Sequence, residues 1–454
     1  MRTRRSAVRV CALAFLLAQF ARPAFAQNNQ DHWVATWASA QQQGRGGGGA
    51  RGAAPPVAAQ QGGVAVPPAG AGPSGAVQTP SQASLAPAMP AVVGFTNQTV
   101  RMVVRASLGG RRVRVQLSNA FGAAALDIGA AHVALRSKDS EIVPNTDRAL
   151  LFNGQPAVRI PPGAVMISDP VDLTVPKLSE MAISLFVPGA SGVPSGHAMA
   201  LHTTYVSRSG DATADTAMAD ATTSQLWYWV SSVDVLAPSK AAAIVAFGDS
   251  ITDGATSTPN TNRSWPSLLA ERLAANSSTA NIAVVNQGIS GNRVLADGSG
   301  VSALARFDRD VLSVSGVRWV MILEGINDIS SASRGAGPGG APATSGASAD
   351  TLVGAMRQMI ERAHTHGIKV IGCTLTPAGN VNDAGEAMRT ALNQFIRTGG
   401  KFDAVVDFDV ATRDPGDPRQ FRAGYNTSDR LHPNDAGYKA MADAIDLKIF
   451  TAKR

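Results

Sequence analysis

Cysteine is nearly absent from this chain. Among 454 residues only Cys11 and Cys373 are cysteine, and Cys11 lies in an N-terminal segment that reads as removable. The one that remains can form no internal disulfide, so a cross-linked scaffold is excluded. Cys373 sits inside the apolar run Ile368–Leu375, where a thiol acts as a small hydrophobe of a buried strand rather than as a nucleophile. A long hydrophobic run is missing too. The apolar stretch Val10–Phe20 is shorter than the about 20 residues a membrane-spanning helix needs. With Arg2, Arg4, Arg5 and Arg9 before it and Ala24-Phe25-Ala26 after it, residues 1–26 read as an export signal. The Arg4-Arg5 pair is followed by Ser6, Ala7 and Val8, a poor match to a twin-arginine signal.

That segment contains no acid, and this changes the charge reading. The chain has 40 basic and 33 acidic residues, net +7, but five of the arginines lie in residues 1–26. The remainder is close to neutral, so its charge points to no nucleic-acid partner. Residues 41–94 lack both acids and aromatics and consist of Gly, Pro, Ala, Gln and Val with few others. Such a composition cannot bury enough side chain to offset its ordering entropy and reads as a disordered insertion. Before it, residues 27–40 hold the alternating segment Trp33-Val34-Ala35-Thr36-Trp37-Ala38, a strand that docks while the insertion loops out. No internal repeat is present.

What is present falls into two patterns. Residues 95–238 show short period-two runs, at Val100–Arg105, Val113–Leu117, Met181–Phe186 and Met199–His202, punctuated by Gly109-Gly110, Pro161-Pro162-Gly163 and Pro188-Gly189. Short strands at such spacing predict a β-sandwich or jelly roll. Residues 239–454 alternate instead. Apolar runs at Ala241–Phe247, Ile282–Asn286, Trp319–Leu323, Ile368–Leu375 and Ala404–Phe408 are separated by helical patterns at Ser264–Ala275, Leu352–Ala363 and Glu386–Ile396, with a last helix opening near Asn434. Five strands joined by helices predict an α/β fold whose parallel sheet is covered on both faces. Chemistry in such sheets gathers at the carboxyl ends of the strands.

Four polar segments stand there in order: GDSIT at 248–252, GISGN at 288–292, GIND at 325–328 and DRLHPN at 429–434. Ser250 follows a strand after only Gly248-Asp249, which exposes a hydroxyl at the sheet edge. A serine hydroxyl is a weak nucleophile at neutral pH and needs an adjacent base. His432 supplies an imidazole, and Asp429, three residues earlier, a carboxylate that one turn can present to it. The Ser250 amide, the Gly291 amide and the Asn327 side chain could donate to an oxyanion, glycine letting backbone approach closely and Asn327 offering an NH₂ that does not act as a base. Asp249, Asp253 and Asp328 flank these segments as loop hydrogen-bonders, and Arg293 reads as a loop-organising salt bridge or a substrate contact. The Gly/Ser-rich run Ser331–Ala349 reads as a pocket rim or a passive loop. No His/Cys/Asp cluster has metal-ligand spacing. His364 and His366, two apart on a helix, point different ways. The GxSxG elbow of another serine-esterase architecture is absent.

On these four segments the chain resembles the SGNH (GDSL) hydrolase superfamily over about Ile244–Tyr438. The resemblance implies a flavodoxin-like five-stranded parallel sheet sandwiched by helices. It implies Ser250 as nucleophile, Ser250, Gly291 and Asn327 as the oxyanion hole, His432 as base and Asp429 as its partner, with no metal and no cofactor. Glu324, directly before GIND, departs from the leucine common in that family. The pattern WVATWA ahead of a β-domain is similar to a secreted arylesterase/acylhydrolase branch that accompanies plant-polysaccharide enzymes. Together these imply an exported, periplasmic or extracellular, serine carboxylic ester hydrolase acting on short acyl esters of small molecules or polysaccharides. No nucleic acid and no integral membrane association is expected. The alternatives are a lipase or phospholipase of the same fold, or a non-catalytic polysaccharide-binding protein.

Overall fold

A computed structural model describes residues 31–43, 94–333 and 346–451. The export segment 1–26, residues 44–93 of the insertion and residues 334–345 of the expected rim lie outside the described residues.

The first strand, β1 (His32–Ala38), is the seam of the molecule. It pairs antiparallel with β7 (Val230–Ala237), which pairs with β4 (Gly110–Ser118), in a sheet completed by Val171–Val175 and Val165–Ile167. A second antiparallel sheet centres on β3 (Gln98–Arg105) and β5 (Glu180–Val187). The alternation of β3 puts Val100, Met102 and Val104 in one core with Val113, Val115 and Leu117 of β4, so the two sheets form a sandwich. In β1, Val34 and Trp37 enter that core while Ala35 and Ala38 enter the core of the α/β half. One strand thus stitches two cores together.

Two expectations need correction. The insertion starts later than its composition suggests. Gln41 and Gln42 are buried, and β2 (Gln42–Gln43) pairs with β6 (Ser195–His197). Their amides are used: Gln41 Nε2 donates to the Val230 carbonyl at 3.0 Å and Gln42 Nε2 to that of Ser299 at 3.0 Å. Met199–His202 is a bend rather than a strand, with Leu201 in the left-handed region at φ +54°. Its apolar side chains pack into the seam between the halves instead of alternating across a sheet.

The α/β half has five parallel strands: β8 (Ala242–Gly248), β9 (Ile282–Gly288), β10 (Val317–Leu323), β11 (Lys369–Cys373) and β12 (Ala404–Val406), in spatial order β9-β8-β10-β11-β12. Each is a near-continuous apolar run because helices cover both faces. Cys373 is fully buried in β11, where burial pushes its thiol up. The chain steps from β8 outward to β9 and then back across to β10. That reversal opens a crevice at the carboxyl ends of these three strands, which finish level, with Gly248 opposite both Gly288 and Leu323. Among the described residues no helix is long and apolar enough to cross a membrane.

Candidate active site

The crevice collects all four polar segments. Asp249 caps the short helix α1 (Ser250–Asp253), its carboxylate accepting the Ile251 amide at 3.0 Å. Ser250 therefore opens a helix, where an amide has no intrahelical partner. The turn packs tightly: a Cβ at Gly288 would lie 2.2 Å from the Asp253 nitrogen, so only glycine fits at the end of β9.

His432 arrives from the far end of the chain. Its loop is fixed by α8 (Asp435–Asp443), whose cap Asn434 accepts the Ala436 and Gly437 amides, and by the Tyr438 hydroxyl, which donates to the Ala255 carbonyl at 2.7 Å. Thr256 Oγ1 donates to the Pro433 carbonyl at 2.6 Å. These bonds tie the histidine loop to the serine turn across 182 residues of sequence, and Ser250 Oγ lies 2.8 Å from His432 Nε2.

On the other side of the ring, His432 Nδ1 lies 2.5 Å from Asp429 Oδ2. Asp429 Oδ1 accepts the Leu431 and His432 amides, each at 3.0 Å, and the Thr427 hydroxyl at 2.8 Å. Burial would raise the Asp429 carboxyl, but the bonds from His432, the two amides and Thr427 outweigh it and hold it well below the ordinary carboxylate range. An ionised Asp429 accepts only, so Nδ1 carries its proton and Nε2 presents a lone pair to the Ser250 hydroxyl. The arrangement can take a proton from Ser250 and hold the resulting imidazolium.

The residues expected to serve an oxyanion follow the ends of the two strands beside β8. Gly291 follows β9 and takes φ +77°. Asn327 lies in α4 (Ile326–Ser333) after β10, and its buried Nδ2 has no hydrogen-bond partner among the described residues. An unused buried donor calls for a partner, which a ligand atom can supply. The flanking acids bond the loops: Asp328 accepts the Val294 and Leu295 amides at 2.7 and 3.0 Å, and Asp253 accepts the Ser290 amide at 3.0 Å and its hydroxyl at 2.8 Å. Arg293 departs from expectation, bonding the Asp297 carbonyl rather than a carboxylate. His364 bonds Asp403 and His366 the Arg362 carbonyl at the end of α5 (Ala349–Thr365), away from each other.

Beneath the crevice lies a residue that sequence reasoning missed. Arg306, in α3 (Ala303–Phe307), is fully buried. It donates to the carbonyls of Gly248 and Gln287 at 2.9 and 2.8 Å and to Asn292 Oδ1 at 2.8 Å, and pairs with Glu324 at 3.1 Å and Asp310 at 3.2 Å. One guanidinium thus joins β8, β9, the GISGN loop and the residue before GIND. The departure at Glu324 is thereby explained: it is a partner of this cation. A signal was available: Ala303, Arg306, Phe307, Asp310 and Val311 share one buried face at helical spacing, opposite charges four apart within it. Glu324 and Asp249 are both fully buried, and burial pushes both carboxyls up; the charge of Asp249 adds to the rise at Glu324 and that of Asp328 to the rise at Asp249, with Arg306 opposing at both.

Residues 244–445 match the family described as GDSL-like Lipase/Acylhydrolase. No curated protein sequence matches the chain. Similar solved structures include a GDSL-like lipase from Bacteroides thetaiotaomicron VPI-5482, at 23% identity over 46% of this chain and 87% of that one, with a TM-score of 0.33. An acetyl xylan esterase, AlAXEase, aligns at 22% identity over 44% and 96% of the two chains, TM-score 0.33. A catalytic mutant of an acetylxylan esterase from Geobacillus stearothermophilus aligns at 23% identity over 45% and 91%, TM-score 0.35.

Proposed function

We propose, supported by the match of residues 244–445 to the GDSL-like lipase/acylhydrolase family, that the chain hydrolyses short-chain acyl esters through an acyl-enzyme on Ser250. The observation that carries this reading is the unbroken line of hydrogen bonds from Ser250 through His432 to Asp429. Ser250 Oγ attacks the ester carbonyl while its proton passes to His432 Nε2. Asp429 orients the ring and stabilises the imidazolium. The carbonyl oxygen becomes an anion, met by the Ser250 and Gly291 amides and Asn327 Nδ2. His432 then protonates the leaving alkoxide. Water, deprotonated by the same ring, attacks the acyl group, and collapse returns Ser250 its proton.

The proposed substrates are acetyl and other short acyl groups on carbohydrate or aryl alcohols, met outside the cytoplasm after export. The basic, apolar, small-x-small order of residues 1–26 supports export. The substrate class rests on the likeness of WVATWA and the β-domain to secreted acylhydrolases. A panel of p-nitrophenyl esters from acetyl to palmitoyl, run with acetylated xylan, tests it. Highest kcat/KM on acetyl esters with acetate released from xylan is the expected result. A maximum at long chains would make the enzyme a lipase instead.

A further inference from the structure

The oxyanion loop is braced from the β-sandwich side. Asp253, which accepts the Ser290 amide and hydroxyl through Oδ2, is bonded through Oδ1 to His197 Nε2 at 2.9 Å. His197 comes from β6, and both side chains are almost fully buried, at 3% and 4% exposure. The opposite ring nitrogen, Nδ1, lies 2.9 Å from the carbonyl of Ala40, two residues after β1. A carbonyl only accepts, so Nδ1 donates to Ala40, and Nε2 is left to bond the Asp253 carboxyl. The charge of Asp253 and these bonds raise the pKa of His197 against burial, which is the largest opposing influence, and against Arg306.

The same side grips the loop at a second point. Gln42 of β2 accepts the Ala198 amide at 3.1 Å and donates to the Ser299 carbonyl at 3.0 Å. Ser299 faces Gly291 directly, its Oγ lying 2.7 Å from where a Gly291 Cβ would stand. The loop bearing Gly291 is therefore clamped at both ends, by His197 through Asp253 and Ser290, and by Gln42 through Ser299. The α/β half holds the same loop through Arg306 at Asn292 and Asp328 at Val294 and Leu295; the His197 and Gln42 bonds are what the sandwich side adds.

We infer that His197 is a positioning residue of the esterase: through Asp253 and Ser290 it fixes the Gly291 amide at the oxyanion position, so that the β-sandwich completes the active site. This rests on the reading of Gly291 and Asn327 as oxyanion donors. The sandwich is then part of the catalytic unit, whatever else it binds.

The test uses the full chain and p-nitrophenyl acetate, with turnover counted per site titrated by an organophosphonate, so that unfolded protein does not enter. His197→Ala lowers kcat by about tenfold with KM within about twofold, a smaller loss than the about 10²–10³-fold for deleting an oxyanion donor outright. Affinity for a trifluoromethyl ketone, which binds as an anionic adduct, falls by the same factor. His197→Gln, able to donate one of the two bonds, recovers part of it. Should His197→Ala fail to fold, Ser290→Ala carries the test, because it removes the hydroxyl bond to Asp253 and leaves the His197–Asp253 contact between the halves in place. A kcat loss there supports the inference, whereas a silent Ser290→Ala with a silent His197→Gln overturns it. Asn327→Ala in the same assay separates the two readings. If it keeps full kcat, the oxyanion assignment falls and this inference with it; if it loses kcat while the His197 and Ser290 variants do not, only the inference falls.

Discussion

Arg306 and Glu324 form an ion pair at 3.1 Å in which neither side chain reaches solvent. Such a pair is costly to break, because removing one partner leaves an uncompensated buried charge, at about 3–5 kcal/mol. Arg306→Met is therefore expected to destabilise by about that amount, measured by urea unfolding. Adding Glu324→Gln to it should recover part of the loss. A double variant less stable than Arg306→Met would show that Glu324 is not held by this cation.

His432 and Asp429 are expected to separate kinetically. His432→Ala removes the base bonded to Ser250 and should cost as much as losing the serine. Asp429→Asn leaves the base in place but removes its orienting charge, for a loss of about 10²–10⁴-fold in kcat. Steady-state rates on an aryl acetate decide this. Equal tolerance of both changes would point to another base.

Asp249 gives a pH signature. Its carboxyl is pushed up to about 7, by burial first and by the charge of Asp328, against the Ile251 amide, His432 and Arg306. Unfolded, it would titrate near about 4. Between these values the folded chain holds a proton the unfolded chain has released. This contribution to stability is complete below about pH 4 and declines as pH rises to about 7. Asp249→Asn should make the fall in stability over that window shallower by about one proton, read from denaturant unfolding at several pH values. An unchanged slope would refute the assignment.

The tryptophans of β1 should not be equivalent. Trp37 is buried, with its ring edge-on to Trp227 at 4.9 Å, whereas Trp33 is half-buried under Arg114, 4.6 Å away. Trp37→Ala is expected to cost about 3–5 kcal/mol, and Trp33→Ala distinctly less. Thermal unfolding of the two variants checks the order.

The parallel sheet and the four segments are legible in the sequence because each rests on local pattern. Strands such as Val317–Leu323 are apolar runs, and Ser250, Gly291 and Asn327 stand one short loop beyond them. Helix starts are equally local: Asn434 declares the opening of α8 by its own cap. What is not legible depends on partners distant in the chain. Arg306 reaches Gly248, 58 residues away, and His197 reaches Asp253, 56 away. The Arg306–Asp310 spacing marks a buried helix face but not what else the guanidinium reaches, and nothing beside His197 in sequence announces Asp253. Met199–His202 misleads for a related reason, since short apolar runs look alike whether they join a sheet or fill a seam between two halves. Gln41 and Gln42 misled by composition: surrounded by low-complexity sequence, they are ordered by acceptors on other strands.

Covalent trapping shows whether Ser250 is the nucleophile. The protein is inactivated with a fluorophosphonate, digested and mapped by mass spectrometry. A single adduct is expected on the peptide bearing Ser250, formed in proportion to lost esterase activity, and a Ser250→Ala variant should be folded, unlabelled and inactive. An adduct on another residue, or a Ser250→Ala variant that still turns over an aryl acetate at near the wild-type rate, would contradict it.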